Sequence, residues 1–164
     1  MNARDTDAAP EPAEFGGAVY GSLLAASVVA GSAAGTPSPP GDLVLLLIST
    51  GVVFWLAHLY VRLVERGLHP LTWRRIRAAG RQEWPLAQAA VPPAVAVALA
   101  SQLGMSNEAA TWVALGVAVA TQVAWAVAAA VSAGSGKGVV VVSGITNLLL
   151  GLVIIALKTQ VAGH

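Results

Sequence analysis

Residues 42–65 read DLVLLLISTGVVFWLAHLYVRLVE, and this stretch decides the fold class. Between Leu43 and Val61 it contains no Asp, Glu, Lys or Arg. A helix rises about 1.5 Å per residue, so these positions extend about 28 Å, close to the roughly 30 Å of hydrocarbon in a bilayer. The stretch therefore predicts a membrane-spanning helix over 42–64.

The composition agrees with a membrane protein throughout the 164 residues. Hydrophobic residues make up 56% of the chain and charged residues 10%, whereas an average soluble domain is about 25% charged. The hydrophobic residues form long blocks, which is typical of membrane spans. There is no Cys, which excludes disulfides, thiolate metal sites and thiol catalysis. The composition is also typical of a bacterial protein.

Further apolar blocks predict an all-α, polytopic integral membrane protein, a bundle of about five transmembrane helices with a short amphipathic interfacial segment. Pro92 and Pro93 should kink or break the third span. We expect a single transmembrane helical domain over 15–164, after a disordered acidic tail over 1–14. The spans are predicted at 15–34, 42–64, 86–104, 109–132 and 139–158.

The loop 65–85 contains most of the arginines, and apolar residues such as Trp73 and Ile76 alternate with them. This pattern predicts a short amphipathic helix on the bilayer surface. Because basic residues prefer the cytoplasmic side, the chain should lie in the cell membrane with its N-terminus cytoplasmic and its C-terminus outside. If 15–34 does not cross, four spans remain and the N-terminus lies outside. The arginines that could contact anionic lipid or a partner, or simply set the topology, are Arg74, Arg75, Arg77 and Arg81.

His58, Arg62 and Glu65 lie on one face of the second span. Arg62 and Glu65 are placed to pair with each other, which leaves His58 as the ionisable group inside the span. An unperturbed histidine titrates at about pH 6.5, so His58 is a candidate for proton coupling or for binding a cation. The alternative is a neutral histidine that is hydrogen-bonded to a neighbouring helix.

Gln122 and Asn147 lie near the centres of the fourth and fifth spans, and Ser143 shares a face with Asn147. These groups could hold helices together, at about 0.6 kcal/mol per hydrogen bond, or could line a substrate path. Small residues that would let helices approach closely are also present, and those that we expect at helix contacts are Gly17, Gly21, Gly116 and Ala120.

Several chemistries are disfavoured by the sequence. His58 has no second His, no Cys and no buried carboxylate near it, so we expect no metal site and no cofactor. The segment GSGKG at 134–138 does not match a phosphate-binding loop, because Val131 and Gly138 occupy positions that need Gly and Ser or Thr. No feature indicates binding to nucleic acid. An enzyme is the less favoured class, because no acidic residue lies deep in any predicted span.

Two functions remain open. The first is an oligomeric transporter or channel for protons or small cations, in which His58, Gln122 and Asn147 would converge on one water-accessible cavity. The second is a non-enzymatic membrane scaffold or accessory subunit, which would bind anionic lipid or a partner through its arginine-rich loop. The expected partners are the lipid bilayer and either further copies of the chain or another membrane protein.

Overall fold

The computed structural model describes residues 12–32, 38–65 and 72–162, which are almost entirely helical. The predicted fold class is confirmed. Four helices are long and apolar enough to cross a membrane, and there are five crossings if the bent pair α3–α4 counts as one span. The helices are α1 (Pro12–Ser32), α2 (Pro40–Glu65), α3 (Trp73–Gln88), α4 (Val91–Gln102), α5 (Asn107–Ser132) and α6 (Lys137–Ala162).

The first two helices begin earlier than the sequence predicted. The tail predicted over 1–14 lies outside the described residues apart from its last three positions, which open α1 at Pro12. Helix α2 begins at Pro40, inside the predicted loop. Proline is tolerated at a first helical position because the N–H that it lacks would have no partner there.

The predicted third span, 86–104, differs most from the structure. Helix α3 continues to Gln88, and α4 covers only Val91–Gln102. Pro92 and Pro93 lie in the first turn of α4, where they cannot donate hydrogen bonds to the preceding turn. The two helices therefore meet at a 40° bend, which confirms the predicted break. The segment described as a loop over 65–85 is thus largely the helix α3.

Helix α5 lies at the centre of the bundle, where it packs against α1, α4 and α6. Helix α2 packs mainly against α3 and α4 on the other side. In the apolar stretches of α1 and α5, 39% of the residues are buried, against 6% in those of α2 and α6. The latter two helices therefore present most of their surface to the surroundings. The core is built largely of small residues, among them Ala26, Ala114 and Ala118.

The turns on either side of α5 follow ordinary helix-capping chemistry. Gly104 and Gly134 adopt φ angles of +71° and +67°, the left-handed conformation that ends a helix. The hydroxyl of Ser106 accepts a hydrogen bond from the backbone N of Ala109 at 3.2 Å and so caps the start of α5. The GSGKG segment therefore ends α5 and, at Lys137, begins α6.

Candidate functional site

A row of polar side chains joins α5 to α6. Gln122 is completely buried, and its Nε2 donates to the backbone oxygen of Asn147 at 3.0 Å and to its Oδ1 at 3.3 Å. Asn147 Nδ2 in turn donates to the Ser143 carbonyl at 3.0 Å, and the Ser143 hydroxyl donates to the carbonyl of Ala126 at 3.2 Å. The structure thus brings together three of the sequence-predicted site residues in a hydrogen-bonded contact between two helices.

One atom of this row is left without a partner. Gln122 Oε1 is buried and accepts no hydrogen bond from the described part of the chain. An unpaired buried acceptor costs about 1–3 kcal/mol. The row is therefore incompletely satisfied, although Gln122 Nε2, Asn147 Nδ2 and the Ser143 hydroxyl each donate at least one hydrogen bond.

His58 has its contacts elsewhere, on α1 and on its own helix. Its Nδ1 lies 2.9 Å from the carbonyl oxygen of Phe54, so Nδ1 carries the hydrogen in this bond. Its ring is tilted against that of Tyr20, with 5.6 Å between the centroids. His58 is half-buried. It therefore contacts α1, whereas Gln122 contacts α6.

Arg62 pairs with Glu83 and not with Glu65, which corrects the pairing expected from the sequence. Arg62 Nε donates to Glu83 Oε1, and its Nη1 lies 3.4 Å from Gln82 Oε1. Docking α3 against α2 removes Glu83 from solvent, leaving its side chain 7% exposed, and the guanidinium replaces the lost water. Glu65, at the end of α2, is exposed.

Sequence reasoning missed Glu83, although a signal for it was present. Glu83 is the one acidic residue between Glu65 and Glu108. It lies four positions after Ala79 and three before Leu86, which places it on the apolar face of α3. A lone carboxylate on the apolar face of an arginine-rich helix indicates a buried partner of opposite charge.

The four arginines of α3 do not all have the same surroundings. Each of them is exposed, while the opposite face of the helix is buried at Ala79, Glu83 and Leu86. Arg77 and Arg81 lie one helical turn apart and line a cavity between α2 and α3. The cavity is not lined by the other two arginines, Arg74 and Arg75.

This cavity has a volume of about 260 Å³, and we call it the tryptophan–arginine groove. Trp55 forms part of its wall and donates its indole N–H to the Gly80 carbonyl at 2.9 Å. The Trp55 ring meets Trp84 edge-on, with 5.6 Å between centroids. Aromatic rings therefore fix the floor of the groove before any ligand binds. Its lining residues are Trp55, Leu59, Trp73, Ile76, Arg77, Gly80, Arg81 and Trp84.

The groove combines two chemical capacities. Its indoles offer apolar surface of the kind that settles at a membrane–water interface. Its guanidiniums are permanently charged and can donate paired hydrogen bonds to phosphate or carboxylate oxygens. The sequence indicated the arginines but not the contribution of Trp55, because that residue reaches the groove only when α3 docks on α2.

A second charged contact lies where the first turns of α5 pack beside the last turns of α6. Lys158 is 7% exposed, and its ammonium lies 4.1 Å from the centroid of the Trp112 ring. Glu108, in the first turn of α5, interacts with it electrostatically. A desolvated lysine over an indole face gains about 2 kcal/mol of attraction. This contact extends the α5–α6 interface beyond the Gln122–Asn147 pair.

The small residues expected at helix contacts differ in their positions. Gly17 and Gly21 face Leu86 of α3, and a Cβ on Gly21 would collide with the Leu86 carbonyl oxygen. Gly116 and Ala120 are exposed on the outer side of α5, where a Cβ on Gly116 would meet nothing within 4 Å. The role of this second pair in packing between copies stays a prediction.

In the described ranges, no group of three or more His, Asp or Glu side chains is arranged to hold a metal ion. The tryptophan–arginine groove is not lined by His58, Gln122 or Asn147, and neither is a much smaller space near Gly21 and Gly51. No protein-family model matches the chain, and comparisons with curated proteins and with solved structures gave no significant match.

Proposed function

We propose that the protein is a non-enzymatic membrane scaffold or accessory subunit that contacts anionic lipid or a partner through the arginine face of α3. The observation that carries this proposal is the docking of α3. Its buried face is held by α1 and α2, and its four arginines are all exposed. A helix that is fixed in this way presents its charges on a rigid support.

The orientation in this proposal follows from the same arginines. Basic residues collect on the cytoplasmic side, so α3 lies at the inner surface of the cell membrane. If α3 and α4 together form one crossing, the N-terminus is cytoplasmic and the C-terminus lies outside. Each arginine near an acidic leaflet then contributes about 1 kcal/mol of attraction.

The second candidate function is an oligomeric transporter or channel for protons or small cations. The observation that favours it is the unpartnered Oε1 of Gln122, a polar acceptor inside the bundle that a water or a cation would satisfy. Against it, the other polar atoms of the row bond to the facing helix or to their own helix, and His58 contacts α1. A transport path would need to form outside the single chain.

Flux measurements separate the two functions. The purified protein would be reconstituted in liposomes, and proton and cation flux measured between roughly pH 5.5 and pH 8, across the ordinary titration range of histidine. The scaffold proposal expects flux at the level of protein-free liposomes, both for the wild type and for His58→Ala. Flux that disappears in His58→Ala would overturn the scaffold proposal and establish a path through His58.

The arginine face is tested separately, by native mass spectrometry of the detergent-purified protein with an acidic phospholipid. Replacement of all four α3 arginines by glutamine should reduce the number of bound acidic lipids. Lys137→Gln is the control, because Lys137 is also exposed but lies at the start of α6. Equal lipid binding by the four-arginine variant and the wild type would contradict a role for this face in lipid contact.

A further inference from the structure

We propose that the tryptophan–arginine groove is a discrete binding site for the headgroup and glycerol region of one anionic phospholipid. This inference rests on the proposed function, since it names the ligand of the arginine face. It goes further by assigning the ligand to two of the four arginines and to the indoles beside them.

The size of the groove suits part of a lipid. Sites that hold a whole small molecule usually measure about 300–1,000 Å³, and the groove, at about 260 Å³, lies just below that range. That volume accommodates a phosphate and a glycerol unit but not two acyl chains. The chains would remain in the bilayer, along the exposed apolar surface of α2 that includes Leu56 and Tyr60. These residues neighbour Trp55 and Leu59 in the sequence of the same helix.

The charge of the groove suits a phosphate. Arg77 and Arg81 are four residues apart, so their Cβ atoms lie about 5–6 Å from each other on one side of α3. No carboxylate is among the lining residues. The carboxylate of Glu83 lies on the buried face of α3 and bonds to Arg62. Two guanidiniums with no acidic neighbour in the groove match a phosphodiester, which accepts paired hydrogen bonds.

The aromatic part of the groove is suited to the region just below a headgroup. Tryptophan settles at this depth because its ring is apolar and its N–H is polar. The Trp55 N–H is already bonded to Gly80, so the ring is held in place for an apolar contact. Trp73, which is 75% exposed, forms a rim that a bound lipid would cover. The combination therefore distinguishes a lipid from a small soluble anion.

Arg74 provides a matched comparison within the same helix. It has the same charge as Arg77 and Arg81 and is exposed like them, but it does not line the groove. A diffuse electrostatic attraction would depend on all of these charges alike. A discrete site would depend on Arg77 and Arg81 alone.

The test is native mass spectrometry of the full-length protein in detergent, with equal amounts of phosphatidylglycerol and phosphatidylcholine. The wild type should retain one phosphatidylglycerol in preference to phosphatidylcholine. Arg77→Gln and Arg81→Gln should each lower this preference about fivefold, the effect of one charge near its lipid. Arg74→Gln should leave it within about twofold. Trp73→Ala, which changes no charge, should lower the binding of both lipids.

The possible results separate this site from the broader function. Equal losses in Arg74→Gln, Arg77→Gln and Arg81→Gln would overturn the groove as a site but leave the arginine face as a lipid contact. Unchanged preference in every arginine variant would overturn both. Unfolding temperatures of the variants, measured in the same detergent, must match the wild type, and Lys137→Gln should behave as the wild type in each measurement.

Discussion

The carboxylate of Glu83 on α3 accepts a hydrogen bond from the guanidinium of Arg62 on α2, although the two residues are 21 positions apart in the sequence. Glu83→Gln would leave Arg62 without a charged partner at a largely buried contact. We expect the free energy of unfolding to fall by about 1.5–3 kcal/mol, the contribution of a hydrogen bond between charged groups. Thermal unfolding in detergent would measure the loss.

Glu65→Gln is the control for this prediction. Glu65 is exposed at the end of α2, so its substitution should change the free energy of unfolding by less than about 0.5 kcal/mol. If Glu65→Gln destabilised the protein as much as Glu83→Gln, the ion pair would be that between Arg62 and Glu65, as the sequence suggested.

Gly21 is the tightest contact between α1 and the end of α3. A Cβ at this position would collide with the Leu86 carbonyl oxygen and lie 2.9 Å from the Ala89 Cβ. A backbone carbonyl cannot move aside as the end of a flexible side chain can. Gly21→Ala should therefore destabilise the protein by about 1–3 kcal/mol. Gly16→Ala, on the same helix with open space around it, should be neutral or slightly stabilising. A similar loss in both variants would place the cause in α1 itself rather than in its contact with α3.

Gln122 can be replaced by an apolar residue at little cost. Gln122→Leu removes a hydrogen bond worth about 0.6 kcal/mol and also removes the unpaired Oε1, so the net change should be under about 1 kcal/mol. Gln122→Glu should cost at least about 2 kcal/mol, because its carboxylate would face two acceptor oxygens of Asn147. Unfolding of the two variants in detergent gives the comparison. A large loss in Gln122→Leu would mean that Oε1 has a partner inside the bundle, such as a buried water.

Lys158 and Trp112 should be energetically coupled across α5 and α6. Lys158→Met and Trp112→Leu each remove the contact between ammonium and ring, so the double variant should lose less stability than the sum of the two. The expected coupling is about 0.5–2 kcal/mol. A double-mutant cycle of unfolding free energies measures it, and strictly additive losses would contradict the contact.

The helices themselves could be predicted from the sequence, because their signals are local. Uninterrupted apolar stretches indicated α2, α5 and α6. The break caused by Pro92 and Pro93 was also predicted, since proline acts on its own turn. The length of α3 before the break was not predicted. Its last turn contains apolar residues, which fit a membrane span equally well.

The candidate site could be predicted only in part. The arginines of α3 were identified from composition, but the groove depends on which face of α3 docks against α2. That choice depends on Gly80, whose carbonyl accepts the Trp55 N–H, and on Glu83, which pairs with Arg62. Both are contacts between distant segments, and a sequence pattern along one helix does not specify them. Interhelical hydrogen bonding by Gln122 and Asn147 was one of two alternatives, and the sequence did not specify that they bond to each other, for the same reason.

Because α1 packs extensively against α5, its assembly into the bundle must wait until α5 has been synthesised. Helix α1 ends at Ser32 and α5 at Ser132, so α1 leaves the ribosome well before its main partner exists. At about 5–20 residues per second, the wait lasts roughly 5–20 seconds. During that time the Ala18, Ser22 and Ala26 face of α1, which is fully buried in the finished bundle, lies against lipid or against α3. The nascent protein therefore passes through a stage in which its first helix is inserted but not yet assembled.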